Sequence, residues 1–451
     1  MDRNESVEFL CENIGDAYTI GEEAYRNLSV KRGLRNEDGT GVLIGITKIG
    51  SVQGYYIDDG VRMPMPGHLY YRSVDLADIV NSHRKNDTFG YEEVAYLLLM
   101  GNLPTAEQQR VFNEILDEAR PLPEGFCEDM ILKVSGSNVM NVLPRCVLAL
   151  YNYDPAPEDD SVKNLVRQSI ELVARFPGIV ATAYAAKRHH FDHKSLYIHN
   201  PKPGLSLSQN FLRMLRPNKE YTDEEAKLLD LMLILHAEHG GGNNSTFTCR
   251  SLSSTGTDTY STIAGAVCSL KGPLHGGANG KVRQMMADIR EHVSDIHDDD
   301  ELAAYIDRIL DGEVFDHTRR IYGLGHAVYT ISDPRTVLIR KYAKELAEKW
   351  GRLEDFQLID NVERLGIRQI VKRTKRELPM CANVDMYSGL VYDMLGIPEE
   401  LYTPLFATAR IAGWCAHRME EVLTCKRIMR PAYRASVRRL PYIPVEERTG
   451  E

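Results

Sequence analysis

The sequence predicts a mostly α-helical protein with a small β element near its N-terminus. Hydrophobic residues recur with the helical period along most of the chain, whereas alternating strand patterns are scarce. The length of 451 residues is enough for two domains and a large buried core. Glycine-rich segments interrupt helices and do not follow strands, which excludes a dinucleotide-binding fold with G-x-G-x-x-G after a strand.

The best strand candidates are GVLIGITKIG at 41–50 and GYYIDDGVRMP at 54–64. Residues 87–119 predict two helices separated by GNLP, with Thr105 as the N-cap of the second. Residues 161–188 predict another pair of helices, parted at Pro177 and the glycine after it.

Composition and charge exclude several classes of function. The 64 acidic and 54 basic side chains give a net charge of -10, which disfavours nucleic-acid binding. The 8 cysteines include no C-x-x-C pair, so a zinc ribbon or a redox motif is not expected. The apolar runs are too short to span a membrane, and the first residues lack the features of a signal peptide. We therefore expect a cytoplasmic protein.

The stretch TDEEAKLLDLMLILHAEHGGGNNS contains the first candidate site residue, His239. Thr222 and Glu225 form a capping box, and the helical period places His239 on the inward face. The helix is predicted to end at the glycines 240–242, so His239 would point into a cleft. The alternative is a hydrogen-bonded core histidine. The H-x-x-H spacing differs from the H-E-x-x-H zinc signature.

Two further histidines lie between glycines, in GPLHGGANG and in GLGHAVYTISDPR. They are His275 and His326, and Arg335 ends the second stretch. Glycine lets a backbone approach another group closely, so each histidine could lie against a substrate. The alternatives are a connection between helices and, for Arg335, a salt bridge.

Asp385 lies in the apolar stretch VDMYSGLVYDMLGIP, where a carboxylate must be paired, act as a helix cap or have a raised pKa. Just before it, residues 368–376 contain five cations and no acid. Such a run suits phosphates, although a solvated helix face is the alternative. The histidines of AKRHHFDHK (189, 190 and 193) are interpreted as an exposed helix end, and we expect no metal site.

Taken together, these stretches resemble the citrate synthase family, and among its members most closely the citrate (Si)-synthases. The motifs occur in the family's order, from about residue 67 to 435. They are HAEHGGGNNSTFTCR, GPLHGGANG, GLGHAVYTISDPR, NVDMYSGLVYDMLGIP and FATARIAGWCAHRMEE followed by RIMRP.

The resemblance implies a mostly helical homodimer with a large domain and a smaller, mobile domain in each subunit. The expected divisions are an N-terminal segment of uncertain structure, the large domain in two parts and the small domain inserted between them. Their ranges are 1–65 for the segment, 66–280 and 396–451 for the large domain, and 281–395 for the small domain.

The resemblance also implies a role for each matching residue. The catalytic residues would be His275, His326 and Asp385. The ligands of oxaloacetate or citrate would be His239, Arg335, Arg410 and Arg430, the last of which would reach the partner subunit's site. Contacts to CoA are expected from Leu324, Gly325, Lys375 and Arg376.

The implied reaction condenses acetyl-CoA with oxaloacetate and hydrolyses citryl-CoA to citrate and CoA, the entry step of the tricarboxylic acid cycle. Acetyl-CoA is a co-substrate, and no metal or permanently bound cofactor is expected. The chemistry agrees with the residue types, since abstraction of a methyl proton needs a base and a donor at the carbonyl oxygen. The alternatives are a 2-methylcitrate synthase using propionyl-CoA and a non-catalytic helical protein that binds CoA or carboxylates.

Overall fold

A computed structural model describes residues 5, 11, 19–375, 378–425, 427–437 and 439–448 of the chain. The chain divides into two compact units, one of residues 1–44 with 429–451 and one of residues 45–428. The first unit contains the short helix α1 (Glu22–Asn27) and single 3-10 turns at Arg32–Leu34 and Val445–Glu447. The boundaries 281 and 395 of the small domain stay a prediction.

The larger unit is built almost wholly from helices, which confirms the predicted fold class. In chain order they are α2 (Leu76–Asn86), α3 (Tyr91–Met100), α4 (Ala106–Ala119), α5 (Val139–Leu150), α6 (Val162–Phe191), α7 (Leu207–Leu215), α8 (Asp223–His236), α9 (Asn244–Ser253), α10 (Thr259–Leu270), α11 (Ala278–His292), α12 (Asp299–Asp311), α13 (Pro334–Lys349), α14 (Leu353–Thr374), α15 (Asp385–Met394) and α16 (Tyr402–Thr424).

A three-stranded antiparallel sheet precedes the helices, as the N-terminal strand patterns predict. It comprises β1 (Gly50–Asp58), β2 (Val61–Tyr71) and β3 (Val74–Asp75), in that order. Asp59 and Gly60 have φ values of +47° and +79°, which suits a two-residue hairpin turn. The other candidate, 41–50, is wrong except for its last residue. Leu43 and Ile46 are each 87% exposed, so no apolar face is buried there to support a strand.

Local capping signals explain which helix boundaries were predicted correctly. Thr105 forms the expected capping box with Gln108 at the start of α4.

The predicted break at Pro177 is wrong, because the single helix α6, 30 residues long, runs through this proline. Pro177 is buried and α6 packs against α4, α5, α7 and α16, so tertiary packing offsets the one lost backbone hydrogen bond.

Helices α8 and α16 are buried along most of their length, and α16 carries Arg410. The predicted end of α8 is wrong, because the helix stops at His236 and leaves His239 in the segment that follows. His239 is nevertheless buried. Helix α16 is enclosed along most of its length, and Arg410, Trp414 and Arg418 are among its fully buried side chains.

Two findings bear on membranes and metals. Across the described ranges, no helix combines the length and apolarity needed to cross a bilayer. In the same part of the chain, no group of three or more His, Cys, Asp or Glu side chains could hold a metal ion. The histidines at 189, 190 and 193 are exposed at the end of α6, as predicted.

Candidate active site

His275 lies in the short connection between α10 and α11, against the start of α9. Its Nε2 is 3.0 Å from the Ser245 hydroxyl and 3.4 Å from the Ser245 backbone nitrogen. Because a backbone N–H can only donate, this contact favours the tautomer whose proton is on Nδ1. Burial, with a contribution from the charge of Arg410, lowers the pKa of His275 to about 4. The ring is therefore neutral at pH 7 and can donate one hydrogen bond.

His326 is oriented by the backbone of its own loop. Its Nδ1 accepts hydrogen bonds from the N–H groups of Val328 and Tyr329, at 3.0 and 3.1 Å. A ring nitrogen that accepts two amide protons carries none itself, so the proton of the neutral ring is on Nε2. The ring stacks on Tyr329 with 4.5 Å between centroids.

The His326 loop is bonded to the segment that leads into α15. The N–H of Gly325 donates to the Cys381 carbonyl at 2.8 Å, and the N–H of Asn383 donates to the Gly323 carbonyl at 2.8 Å. The Asn383 side chain adds a bond to the Gly325 carbonyl at 3.0 Å. Asp385 follows two residues later, so His326 and Asp385 are carried by two segments that are bonded to each other.

The β-hairpin supports this loop from the other side. The Thr330 hydroxyl donates to the Gly54 carbonyl, and Arg62 donates to the Val328 carbonyl at 3.4 Å. The N–H of Gly67 donates to the Ser332 hydroxyl at 3.1 Å. Part of the N-terminal segment whose structure the sequence left uncertain therefore helps to build the site.

Asp385 is not the N-cap of α15, so helix capping does not explain a carboxylate at this position. It is the first residue of α15, after Val384 in the N-cap position, and its Oδ1 is buried with no partner among the residues described. Burial raises its pKa to about 7; the nearby Arg335 lowers this pKa and Asp333 raises it. A carboxyl group with a pKa near 7 is suited to take up a proton at neutral pH.

His239 lies beside His326, as the sequence predicts for two residues of one site. Their ring centroids are 5.1 Å apart, and Tyr329 lies 5.6 Å from His239. Burial, together with the charges of Arg335 and Arg410, keeps the pKa of His239 far below its ordinary value. Within the described part of the chain its Nε2 is buried without a hydrogen-bond partner.

The three predicted carboxylate-binding arginines differ in their surroundings. Arg410 is completely buried, its Nε donates to the His236 carbonyl at 2.6 Å, and neither Nη has a partner in the described ranges. Arg335 is also buried but already forms a two-point ion pair with Asp333 through Nε and Nη2, at 3.0 and 2.6 Å. Arg430 is exposed in the unit of residues 1–44 and 429–451.

Two of the residues predicted to contact CoA lie in the His326 loop. Leu324 and Gly325 precede His326 in its loop, and Leu324 forms a β-bridge with Ala382. Lys375 is exposed and ends α14 in a left-handed conformation. Arg376 lies outside the described residues. In the same basic run, Arg373 is paired with Asp307 and Asp311 of α12.

Sequence reasoning missed several side chains of this cluster. His236 is buried, donates from Nδ1 to the Met232 carbonyl at 2.7 Å, and packs edge-on against Phe406, over whose ring the Arg410 guanidinium lies. Asp333 pairs with Arg335, and the motif SDPR contained it without indicating that contact. The first histidine of H-x-x-H was a usable signal for His236.

Comparisons with known proteins agree with this geometry. A family model described as citrate synthase, C-terminal domain, matches residues 38–432. The citrate synthase of Deinococcus radiodurans is 37% identical over 79% of this chain and 88% of its own. A 2-methylcitrate synthase of Shewanella oneidensis is 32% identical over 81% of this chain and 87% of its own.

Among solved structures, the chain superposes on a citrate synthase from the archaeon Thermoplasma acidophilum with a TM-score of 0.75 and 26% identity. The match covers 93% of this chain and 99% of that one, which was solved as a ternary complex with carboxymethyl coenzyme A and oxaloacetate. A citrate synthase from Thermotoga maritima gives a TM-score of 0.73 with 28% identity over 93% of this chain and 99% of its own.

Proposed function

Because the chain belongs to the citrate synthase family, we propose that its buried site condenses acetyl-CoA with oxaloacetate and hydrolyses the citryl-CoA that results. The observation that carries the proposal is a set of buried polar atoms that the described chain leaves unsatisfied: both Nη of Arg410, Nε2 of His239 and Oδ1 of Asp385. Buried polar groups are otherwise almost always hydrogen-bonded, so such a set suits a polar ligand.

Asp385 and His275 would form the nucleophile from acetyl-CoA. Asp385 takes a methyl proton, and the Nδ1–H of neutral His275 donates to the thioester oxygen on which negative charge develops. The pKa of about 7 at Asp385 and of about 4 at His275 supports these opposite roles. The product of this step is an enol or enolate held at His275.

His326 would activate the second substrate. Its Nε2–H donates to the ketone oxygen of oxaloacetate while the new carbon–carbon bond forms, and the proton stabilises the developing alkoxide. His239, 5.1 Å away between ring centroids, offers a further contact to oxaloacetate. Water then displaces CoA from citryl-CoA, giving citrate.

Arginines would hold the two carboxylates of oxaloacetate. A guanidinium fork binds a carboxylate through two parallel hydrogen bonds. Both Nη atoms of Arg410 lack a partner among the described residues and could bind a carboxylate. Arg335 offers only the N–H groups that its ion pair with Asp333 does not use. Arg430 is proposed to act in the site of the partner subunit of a homodimer.

A mixing experiment tests the role of Arg430. Arg430→Ala and His275→Ala subunits are each expected to be nearly inactive alone. Co-expression of the two chains should restore about a quarter of the wild-type activity, since half of the dimers are hybrids with one intact site each. If Arg430 served its own subunit, no hybrid site would be intact and no activity would return.

The proposed small domain, 281–395, contributes His326, Arg335 and Asp385, while His275, His239 and Arg410 come from outside it. Oxaloacetate would therefore contact both domains, which favours closure around it and exclusion of water. Small-angle scattering with and without oxaloacetate tests this proposal, and an unchanged radius of gyration would contradict it.

The proposed CoA contacts are Leu324, Gly325, Lys375 and Arg376. Support comes from the position of Leu324 and Gly325 next to His326 and from the exposed cation of Lys375. Charge reversal in Lys375→Glu with Arg376→Glu should raise the KM for acetyl-CoA and leave that for oxaloacetate nearly unchanged. Equal changes in both constants would contradict the assignment.

We also propose a cytoplasmic location. The eight cysteines are all free, as is usual in a reducing compartment.

A thiol-release assay with oxaloacetate and either acetyl-CoA or propionyl-CoA tests the function. We expect faster release from acetyl-CoA, because the relatives of 37%, 35% and 33% identity are named citrate synthases. Preference for propionyl-CoA would indicate the 2-methylcitrate reaction instead. Binding of both substrates without thiol release would indicate a non-catalytic protein.

A further inference from the structure

A buried series of polar side chains leads from α9 to the residues beside His239. Arg250 Nη1 lies 2.9 Å from His417 Nδ1, and His417 Nε2 lies 2.9 Å from Glu238 Oε1. The side chains of His417 and Glu238 are fully buried. A guanidinium can only donate, so His417 accepts at Nδ1 and donates its Nε2 proton to Glu238. Arg250 thereby sets the tautomer of His417.

Arg250 is itself held by two adjacent carboxylates of α16. Its Nη1 donates to Glu420 at 2.7 Å, and its Nη2 lies 2.9 Å from Glu421. Glu420 also accepts the backbone N–H of Lys48 at 2.7 Å. Because both Nη atoms of Arg250 are bound to these carboxylates, the orientation of the guanidinium relative to His417 is fixed.

Glu238 in turn holds the backbone around His239. Its Oε1 accepts the N–H of Gly240 at 2.5 Å, so the side chain closes a ring across the intervening residue. Burial alone would raise the pKa of Glu238, but His417, Arg410 and the Gly240 amide lower it further than burial raises it. Glu238 is therefore a carboxylate at neutral pH.

The carboxylate of Glu238 is confined by two glycines. A Cβ at Gly413 of α16 would lie 2.6 Å from Glu238 Oε2, and a Cβ at Gly50 of β1 would lie 2.9 Å from its Cγ. The absence of side chains at these two positions leaves room for one buried carboxylate. The proposed reaction does not involve the Glu238 carboxylate, so catalysis does not explain why a charge is buried here.

Glu238 also acts on the charge of Arg410. Burial lowers the pKa of Arg410 to about 10, and Glu238 gives the largest opposing contribution. The Nε of Arg410 is bonded to the His236 carbonyl, two residues before Glu238, so both groups are fixed to the same segment. A buried cation needs a nearby anion when no substrate is bound.

We propose that Glu238, held by His417 and Arg250, is a positioning residue for the oxaloacetate site: it fixes the backbone of His239. The proposal deepens the function proposed above and rests on it for the identity of the ligand. Removal of the charge should weaken the binding of oxaloacetate and leave the binding of acetyl-CoA unchanged.

The test compares Glu238→Gln and His417→Gln with wild type by calorimetric titration with oxaloacetate and by steady-state kinetics. In each variant we expect the Kd and KM for oxaloacetate to rise about ten- to hundredfold, with less than about a twofold change in the KM for acetyl-CoA. The double variant should be no worse than the poorer single variant, because the two side chains act as one unit.

Glu92→Gln is the matched control. Glu92 is a buried carboxylate that accepts the backbone N–H of Leu207, far from these residues in the sequence. Its amide oxygen can still accept the Leu207 N–H, so this variant should leave both KM values nearly unchanged. A purely structural role for Glu238 would make Glu238→Gln behave in the same way.

The proposal is overturned if Glu238→Gln changes the Kd for oxaloacetate by less than twofold, or if both KM values rise equally. Should Glu238→Gln not fold, His417→Gln decides by the same thresholds. A wild-type protein that binds oxaloacetate but releases no thiol would contradict the proposed function, while the calorimetric comparison would still test the positioning pair.

Discussion

The two glycine-flanked histidine segments look alike in sequence but are built differently. His275 is held by another element, through the hydroxyl and amide of Ser245, whereas His326 is held by amides of its own loop. Their glycines also differ. Gly323 and Gly325 have φ values of +85° and +88°, whereas Gly276 has no positive φ and instead lies close to Leu270. Glycine therefore serves close packing in the His275 segment and left-handed backbone in the His326 segment, where Gly323 also lies close to Met386.

The largest effect is expected from loss of Asp385, the proposed base. Asp385→Asn should reduce kcat about a thousandfold or more, because neither histidine can replace the base. Its melting temperature at pH 8 should be no lower than that of wild type. A carboxyl group whose folded pKa lies above its unfolded pKa costs stability once pH exceeds both values, and the amide removes that cost. Near-normal turnover would contradict the assignment.

The pH dependence of kcat/KM should distinguish the proposed base, Asp385, from His275. With the pKa of Asp385 raised to about 7, kcat/KM for acetyl-CoA should fall about tenfold per pH unit below 7. His275, with a pKa lowered to about 4, stays neutral over that range and should add no second inflection above pH 5. A profile that is flat from pH 5 to 8 would overturn the role of Asp385.

Ser245→Ala should affect the His275 segment and leave the His326 loop intact, although it also removes the acceptor of the buried Trp414 indole N–H. Loss of the hydroxyl beside Nε2 leaves His275 less well oriented, and we expect kcat to fall about tenfold. The KM for oxaloacetate should hardly change, because His326 receives its bonds from backbone amides. Thr248→Ala, at an exposed hydroxyl of the same helix, is the control. An equal loss in both variants would mean that the effect is not specific to His275.

The smallest effects test the two uses of glycine. Gly325→Ala meets no atom within 4 Å, so its cost is the left-handed backbone alone, about 1–2 kcal/mol. Gly276→Ala would place Cβ 2.7 Å from the Leu270 carbonyl, a clash costing about 1–3 kcal/mol. Asparagine, which tolerates left-handed backbone, should recover stability at 325 but not at 276. Equal melting temperatures for the two asparagine variants would show that Gly325 and Gly276 do not differ in this way.

The sequence predicted what depends on local signals and on residue type. The capping box at Thr105 defined a helix start. The motifs also contained His239 and Asp385, whose buried Nε2 and Oδ1 have no hydrogen-bond partner among the described residues. Pro177 misled the prediction because the packing of α6 outweighs a local helix breaker. Burial over many neighbours cannot be inferred from a short pattern.

Other features were hidden because they join distant parts of the chain. Glu238 meets His417 across 179 residues, and the hairpin carbonyl of Gly54 meets Thr330 across 276. The tautomers of the two proposed catalytic histidines depend on such contacts or on loop conformation. No periodicity or motif contains them.

The backbone bonds to His326 have a consequence for sequence variation. Because amides at 328 and 329 set its tautomer, the side chain of Val328 can vary while the ring stays in place, and proline is excluded since it lacks the N–H group. A saturation library at Val328 should therefore retain most substitutions and lose proline, whereas a library at Ser245 should be depleted broadly. Two histidines of equal chemical importance would thus leave opposite marks on the variation accepted around them.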